Sequence, residues 1–159
     1  MKQRVLFVCL GNICRSPTAE AVLRARAQQR GMLAALHIDS AGTGDWHVGK
    51  APDSRALAAA ARRGYRMDDL RARQVSRDDF QGFDFLLAMD RANLGELKRL
   101  CPSEFGGHLG LFLEFHPESL DDLEVPDPYY GGGDGFETVL DMVERACDGL
   151  LDHLSPRRC

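Results

Sequence analysis

RVLFVCLGNICRSPTAEAV, residues 4–22, is the stretch on which the architecture of the chain turns. Its first part, Arg4 to Leu10, is a short apolar run closed at once by Gly11 and Asn12, which reads as a buried strand. Its second part opens with Ser16 as a cap and Pro17 at the first helical position. Ala19, Ala21, Val22, Leu23 and Ala25 then carry a helical pattern until Gly31 stops it. Strand, tight turn and helix in that order are the first half of a βαβ unit. The turn is chemically unusual, because Cys9, Cys14 and Arg15 crowd into it.

The pattern repeats along the chain. A second strand spans roughly Leu36 to Ala41 and leads into the loop GTGDWHVGKAP at 42–52. DSRALAAAARRG at 53–64 is an alanine-rich helix ending at Gly64, and FDFLLAMD at 83–90 is the most convincing buried strand in the sequence. Arg91 to Leu100 is a short helix before Pro102, and LGLFLEF at 109–115 reads as a fourth strand. The acidic loop PESLDDLEVPDPYYGGG, 117–133, precedes a last helix from Gly135 to His153, with Asp134 and Glu137 at capping-box spacing. Strands alternating with helical crossovers predict an α/β fold with a doubly wound, four-stranded parallel sheet, and three αβα layers with strand order 2-1-3-4 are expected of it. Its binding crevice lies at the carboxyl ends of the strands. With no repeat, linker or low-complexity segment, residues 1–159 read as a single domain with its core over about 4–154.

Composition narrows the function. The 44% hydrophobic and 28% charged content is that of an ordinary globular protein, and 20 basic against 24 acidic side chains give a net charge of −4. That leaves no basic footprint for a nucleic acid and no polybasic patch for a membrane; no stretch is as long as a transmembrane helix, so the expected location is the cytoplasm. Five cysteines, Cys9, Cys14, Cys101, Cys147 and Cys159, are too few and too scattered for a secreted disulfide framework. Reduced thiols are expected, with the last three incidental. His37, His47, His108, His116 and His153 show no metal-ligand spacing and read as surface or core residues, so no metal or cofactor is expected. GDWHVGK at 44–50 has the spacing of a Walker A loop, but Ala51 stands where a hydroxyl should hold magnesium and Pro52 follows; it reads as a cleft loop carrying Trp46.

The chemistry concentrates in CLGNICRS, 9–16. A tight loop leading into a helix aims several backbone N–H groups and the positive end of the helix dipole at one point, which makes an anion cradle. Arg15 adds formal charge and a planar fork that fits two phosphate oxygens. A thiol at the head of such a cradle has its thiolate stabilised and is set for in-line attack on phosphorus, giving a phosphocysteine; one carboxylic acid on another loop completes the proton transfers. Cys9 could otherwise be a small hydrophobe ending a strand, and Asp127 one more solvated acid beside Asp121, Asp122 and Glu124.

CLGNICRS near the N-terminus together with DPYY at 127–130 resembles the low-molecular-weight protein tyrosine phosphatases. DSAGT at 39–43, Trp46, RARQV at 71–75, FDFLLAMD and GFETV at 135–139 follow in the same order. The resemblance implies hydrolysis of protein phosphotyrosine, with Cys9 as nucleophile, Arg15 as phosphate ligand and Asp127 as general acid and then base. Leu10, Gly11, Asn12, Ile13, Cys14, Arg15 and Ser16 would form the phosphate-binding loop. Asn12, Ser16 and Ser40 would support it, with Asn12 bonded to Ser40 and Ser16 donating to the Cys9 sulfur. Ile13, Trp46, Tyr129 and Tyr130 would wall a slot deep enough for an aryl phosphate. The same resemblance implies a reversible Cys9–Cys14 disulfide, tyrosine-phosphorylated proteins as substrates, a tyrosine kinase as partner, and a monomer or weak homodimer. Family members often carry a histidine just before RARQ; here Leu70 stands, which removes a hydrogen bond toward Asp90. Arsenate reduction on this fold needs further closely spaced redox cysteines that Cys101 lacks. Phosphoarginine hydrolysis is disfavoured by Ile13, where threonine is typical, and by the aromatic Tyr129–Tyr130 pair.

Overall fold

Val5, Leu6, Phe7 and Val8 have no exposed surface at all, and they form the centre of strand β1 (Gln3–Cys9). The computed structural model describes residues 2–130 and 134–155. Strand β2 (Leu36–Gly42) pairs with one edge of β1, strand β3 (Phe85–Ala88) with the other, and strand β4 (His108–Leu111) extends the sheet beyond β3. All the pairings are parallel, as the alternation of elements predicts, and the order is β2-β1-β3-β4, as expected.

Alternating side chains of β1 serve both faces of the sheet. Val5, Phe7 and Cys9 belong to the larger core, beneath helices α1 (Arg15–Gln29), α2 (Ser54–Arg62) and, after a short helix α3 (Asp79–Gly82) and helix α4 (Arg91–Leu100), the long helix α5 (Gly135–Leu154). Leu6 and Val8 face the smaller core with Phe80, Phe83, Leu86 and Leu97 from the α3–β3–α4 side. Each such side chain contributes about 1.5–3 kcal/mol by leaving water, so β1 is the element the fold can least lose. Because β2 and β3 leave β1 on opposite sides, the carboxyl end of β1 is the topological switch point, and the Cys9 loop sits there.

Several sequence-level boundaries are corrected. LGLFLEF is not one strand: β4 ends at Leu111, whose N–H is bonded by the Glu114 carboxylate at 3.3 Å, and Phe112–Phe115 turns into a 3-10 helix. β1 stops at Cys9, one residue before Leu10, and the apolar 83–90 run is a strand only over Phe85–Ala88. Helix α1 begins at Arg15, with Cys14 at the cap position and no side-chain cap bond, because the Ser16 hydroxyl is used elsewhere. The Asp134–Glu137 capping box does not form; Glu137 turns instead to Arg62 and Arg63 at 2.9 Å each. Residues 131–133 of the acidic loop and Cys159 lie outside the described residues. No helix of the described residues is long and apolar enough to cross a membrane.

Candidate active site

The turn after β1 is held in shape by Asn12, whose φ of 57° lies in the left-handed region that a short polar side chain tolerates. Its side chain braces three segments. Nδ2 donates to Ser16 Oγ at 2.8 Å and to Ser40 Oγ at 3.0 Å, while Oδ1 accepts from the Arg73 N–H at 3.0 Å. Ser40 in turn donates to the buried Glu20 at 2.7 Å. Burial pushes the Glu20 carboxyl above the usual carboxylate range, although its bonds from Ser40 and Arg24 oppose the rise.

This bracing brings two polar groups to the Cys9 sulfur. The Asn12 N–H reaches Sγ at 3.2 Å, and Ser16 Oγ stands 3.0 Å from it. Arg15, 3% exposed, is fixed from behind: one Nη donates to Asp90 Oδ2 at 2.7 Å and to the Val125 carbonyl at 3.0 Å. The other Nη lies 3.7 Å from Asp127 Oδ2. Burial works against the guanidinium charge, but Cys9, Asp90 and Asp127 outweigh it and hold Arg15 protonated. Both oxygens of Asp90 are occupied, one by Arg15 and the second by the Asn93 N–H at the start of α4, while Leu70 lies by Ala21 and Arg24 of α1, half-buried against the core.

A cleft of about 360 Å³ opens over these groups. Cys9, Cys14 and Arg15 line its buried end, Leu10, Gly11, Ile13 and His47 its flanks, and the exposed Trp46 and Tyr129 its mouth, with Asp127 at the rim. The loop carrying Trp46 is stitched to the Cys9 turn by Thr43 N–H to the Cys9 carbonyl and Gly44 N–H to the Leu10 carbonyl, 2.9 Å each. A Cβ at Gly44 would meet the exposed Trp46 ring, so a side chain there would displace that ring from its present place. The RARQV segment adds a one-residue parallel bridge from Gln74 to Gly42 at the edge of β2. Asp127 is held by its own turn, its Oδ1 accepting from the Tyr129 N–H at 3.0 Å.

Every residue singled out from the sequence for catalysis, the phosphate loop or loop support therefore falls in or directly under one cleft. Of the slot residues, Ile13, Trp46 and Tyr129 line it, whereas the Tyr130 side chain lies outside the described residues. Cys9 and Cys14 are free buried thiols; burial, with Asp53 and Cys9 adding to it, pushes the Cys14 thiol up to about 12 and keeps it protonated. Cys147 is a free thiol wholly within the core, and Cys101 is a half-buried one. Sequence reasoning missed His47 in the cleft wall, Glu20 beneath the loop, and the pairing of Arg15 with Asp90. The adjacency of His47 to Trp46 is the one signal that was available. No cluster of metal-ligating side chains occurs among the described residues.

Residues 4–158 match the family model described as low molecular weight phosphotyrosine protein phosphatase. The chain is 48% identical over 153 residues to a low molecular weight protein-tyrosine-phosphatase of Streptomyces coelicolor, covering 95% of this chain and 93% of that one. It is 41% identical over 150 residues to a low molecular weight phosphotyrosine protein phosphatase of Gallus gallus, covering 93% of each. Among solved structures, a protein tyrosine phosphatase of Entamoeba histolytica superposes with a TM-score of 0.90 at 42% identity, covering 96% of this chain and 97% of that one.

Proposed function

This chain belongs to the low molecular weight phosphotyrosine protein phosphatase family, and from that premise we propose that Cys9, Arg15 and Asp127 hydrolyse protein phosphotyrosine through a phosphocysteine intermediate. The observation that carries the assignment is the convergence of a buried sulfur, a buried guanidinium and a rim carboxylate on one cleft.

The phosphoryl group enters with its oxygens on the loop N–H groups and the Arg15 fork, where the α1 dipole adds positive potential. The Cys9 thiolate attacks phosphorus as the bond to the tyrosyl oxygen breaks, and Asp127 gives its proton to that oxygen. Asp127, now a carboxylate, takes a proton from water; the resulting hydroxide attacks the phosphocysteine, the S–P bond breaks, and inorganic phosphate leaves with the thiolate restored. Ser16 and the Asn12 N–H stabilise that thiolate as leaving group. Thiolate, guanidinium and carboxyl supply nucleophile, charge and proton, so the step requires no metal. Ile13, Trp46 and Tyr129 make a slot that favours a long planar ester, which reaches the recessed sulfur. In this reading residues 1–159 act as one phosphatase domain in the cytoplasm, on tyrosine-phosphorylated proteins.

Turnover of para-nitrophenyl phosphate and of phenyl phosphate, whose leaving group is poorer, by Cys9→Ser and Asp127→Asn tests the roles. Cys9→Ser is expected to abolish turnover and Asp127→Asn to lower kcat/KM for poor leaving groups by about 10²–10⁴. Wild-type-like hydrolysis by Cys9→Ser overturns the mechanism.

A further inference from the structure

Arg55, in the first turn of α2, belongs to no part of the phosphate loop, yet it gathers three separate segments around one guanidinium. Nε donates to Asp53 Oδ1 at 3.1 Å and Nη2 to Asp53 Oδ2 at 3.0 Å. The same Nη2 donates to the Tyr129 carbonyl at 3.2 Å. Its Cζ lies over two rings, 5.3 Å from the centre of Tyr129 and 5.0 Å from that of Phe136 at the start of α5. This is more than an exposed ion pair, which by itself adds little. It combines the fork's bonds to Asp53 and the Tyr129 carbonyl with a cation over two rings, a combination lysine's single ammonium cannot supply.

Both ends of the arrangement reach the chemistry. Asp53 donates its own N–H to the Ile13 carbonyl at 2.8 Å, so the platform under Arg55 stands on the phosphate loop. Tyr129, whose carbonyl and ring Arg55 holds, donates its N–H to Asp127 Oδ1 at 3.0 Å. A continuous path therefore runs from Ile13 through Asp53, Arg55 and Tyr129 to Asp127.

We propose that Arg55 is a positioning residue that ties the Asp127 turn to the phosphate loop, setting the carboxyl over the leaving oxygen and the Tyr129 ring over the slot. The proposal rests on the reading of Asp127 as the general acid. Without Arg55 the Tyr129 carbonyl and ring lose their contacts with its guanidinium, and proton delivery suffers before nucleophilic attack does.

The test compares kcat/KM for phenyl phosphate, whose leaving group needs the proton, with that for para-nitrophenyl phosphate, whose leaving group needs it far less. The ratio of the two is independent of the fraction of enzyme that folds. Arg55→Ala is expected to cost about tenfold on phenyl phosphate and no more than about threefold on the nitrophenyl ester, with Arg55→Lys in between. In an Asp127→Asn background, Arg55→Ala is expected to leave the ratio unchanged. Equal losses on both esters, or a further change of ratio in that background, overturn the positioning role. If Asp127→Asn alone leaves the ratio at the wild-type value, the acid assignment falls and this proposal falls with it. If Asp127→Asn shifts the ratio and Arg55→Ala does not, only the role of Arg55 is lost.

Discussion

Asn12 separates what a backbone conformation costs from what a side chain supplies. Its left-handed φ of 57° is the one such value outside glycine among the described residues, and its amide makes three bracing bonds. Asn12→Gly keeps the conformation and loses the bonds; Asn12→Ala loses the bonds and adds strain. We expect urea denaturation to show Asn12→Gly destabilised by about 2–3 kcal/mol and Asn12→Ala by about 1 kcal/mol more. An alanine variant as stable as the glycine variant would show that φ is not a constraint there. The sequence makes Asn12 and Cys9 legible because both lie within one short loop. Arg15 was legible as a phosphate ligand, but its fixation by Asp90, 75 residues away, is a tertiary fact that local spacing cannot carry. Glu20 was equally hidden: on a helix it reads as a solvated acid, and only the packing of α1 against β2 buries it under Ser40.

At the scale of elements, the parallel sheet was readable because apolar runs, helical patterns and glycine stops alternate with the right lengths. What failed were the ends, where a side chain from elsewhere competes with a local rule. Glu114 turns the β4 run aside after Leu111, and Arg62 and Arg63 draw Glu137 away from the α5 cap. One helix contact has a further consequence. Gly149 lies inside α5, where glycine ordinarily costs about 1 kcal/mol relative to alanine. A Cβ at that position would fall within the van der Waals envelope of the Phe115 carbonyl oxygen in the 3-10 turn after β4. Gly149→Ala is therefore expected to lower stability by about 2 kcal/mol despite the gain in helix propensity, because α5 must move off that turn. A melting temperature at or above wild type would show that the helix and turn slip past each other at no cost.

For the molecule as a whole, the pH dependence of stability is where the buried support of the site becomes measurable. Hydrogen bonds from Arg55 and Arg4 hold Asp53 and Asp84 below the ordinary carboxylate value of 3.8, so their contributions are present above that value and lost as pH falls further. Glu20 runs the other way. Its folded value is raised above the ordinary 4.5, mainly by burial, so between those two values the native state holds more protons than the unfolded chain. Stability from this group is therefore greatest when pH is low and declines as pH rises through the folded value. Glu20→Gln removes the titration while keeping an oxygen for the Ser40 hydroxyl, and half-exposed Arg24 can turn to solvent. Denaturation from about pH 5 to about pH 8 lies above the window of the lowered aspartates, which stay ionised in both states there and cancel between the two proteins. From the ordinary value of 4.5 up to the raised folded value, the stability of Glu20→Gln relative to wild type is expected to increase with pH and then to level off. A constant difference would mean that the bonds from Ser40 and Arg24 fully offset burial. A difference that shrinks with pH would mean that the ionised Glu20 stabilises the fold, and the Asn12–Ser40 brace would then rest on a charge rather than on a buried polar chain.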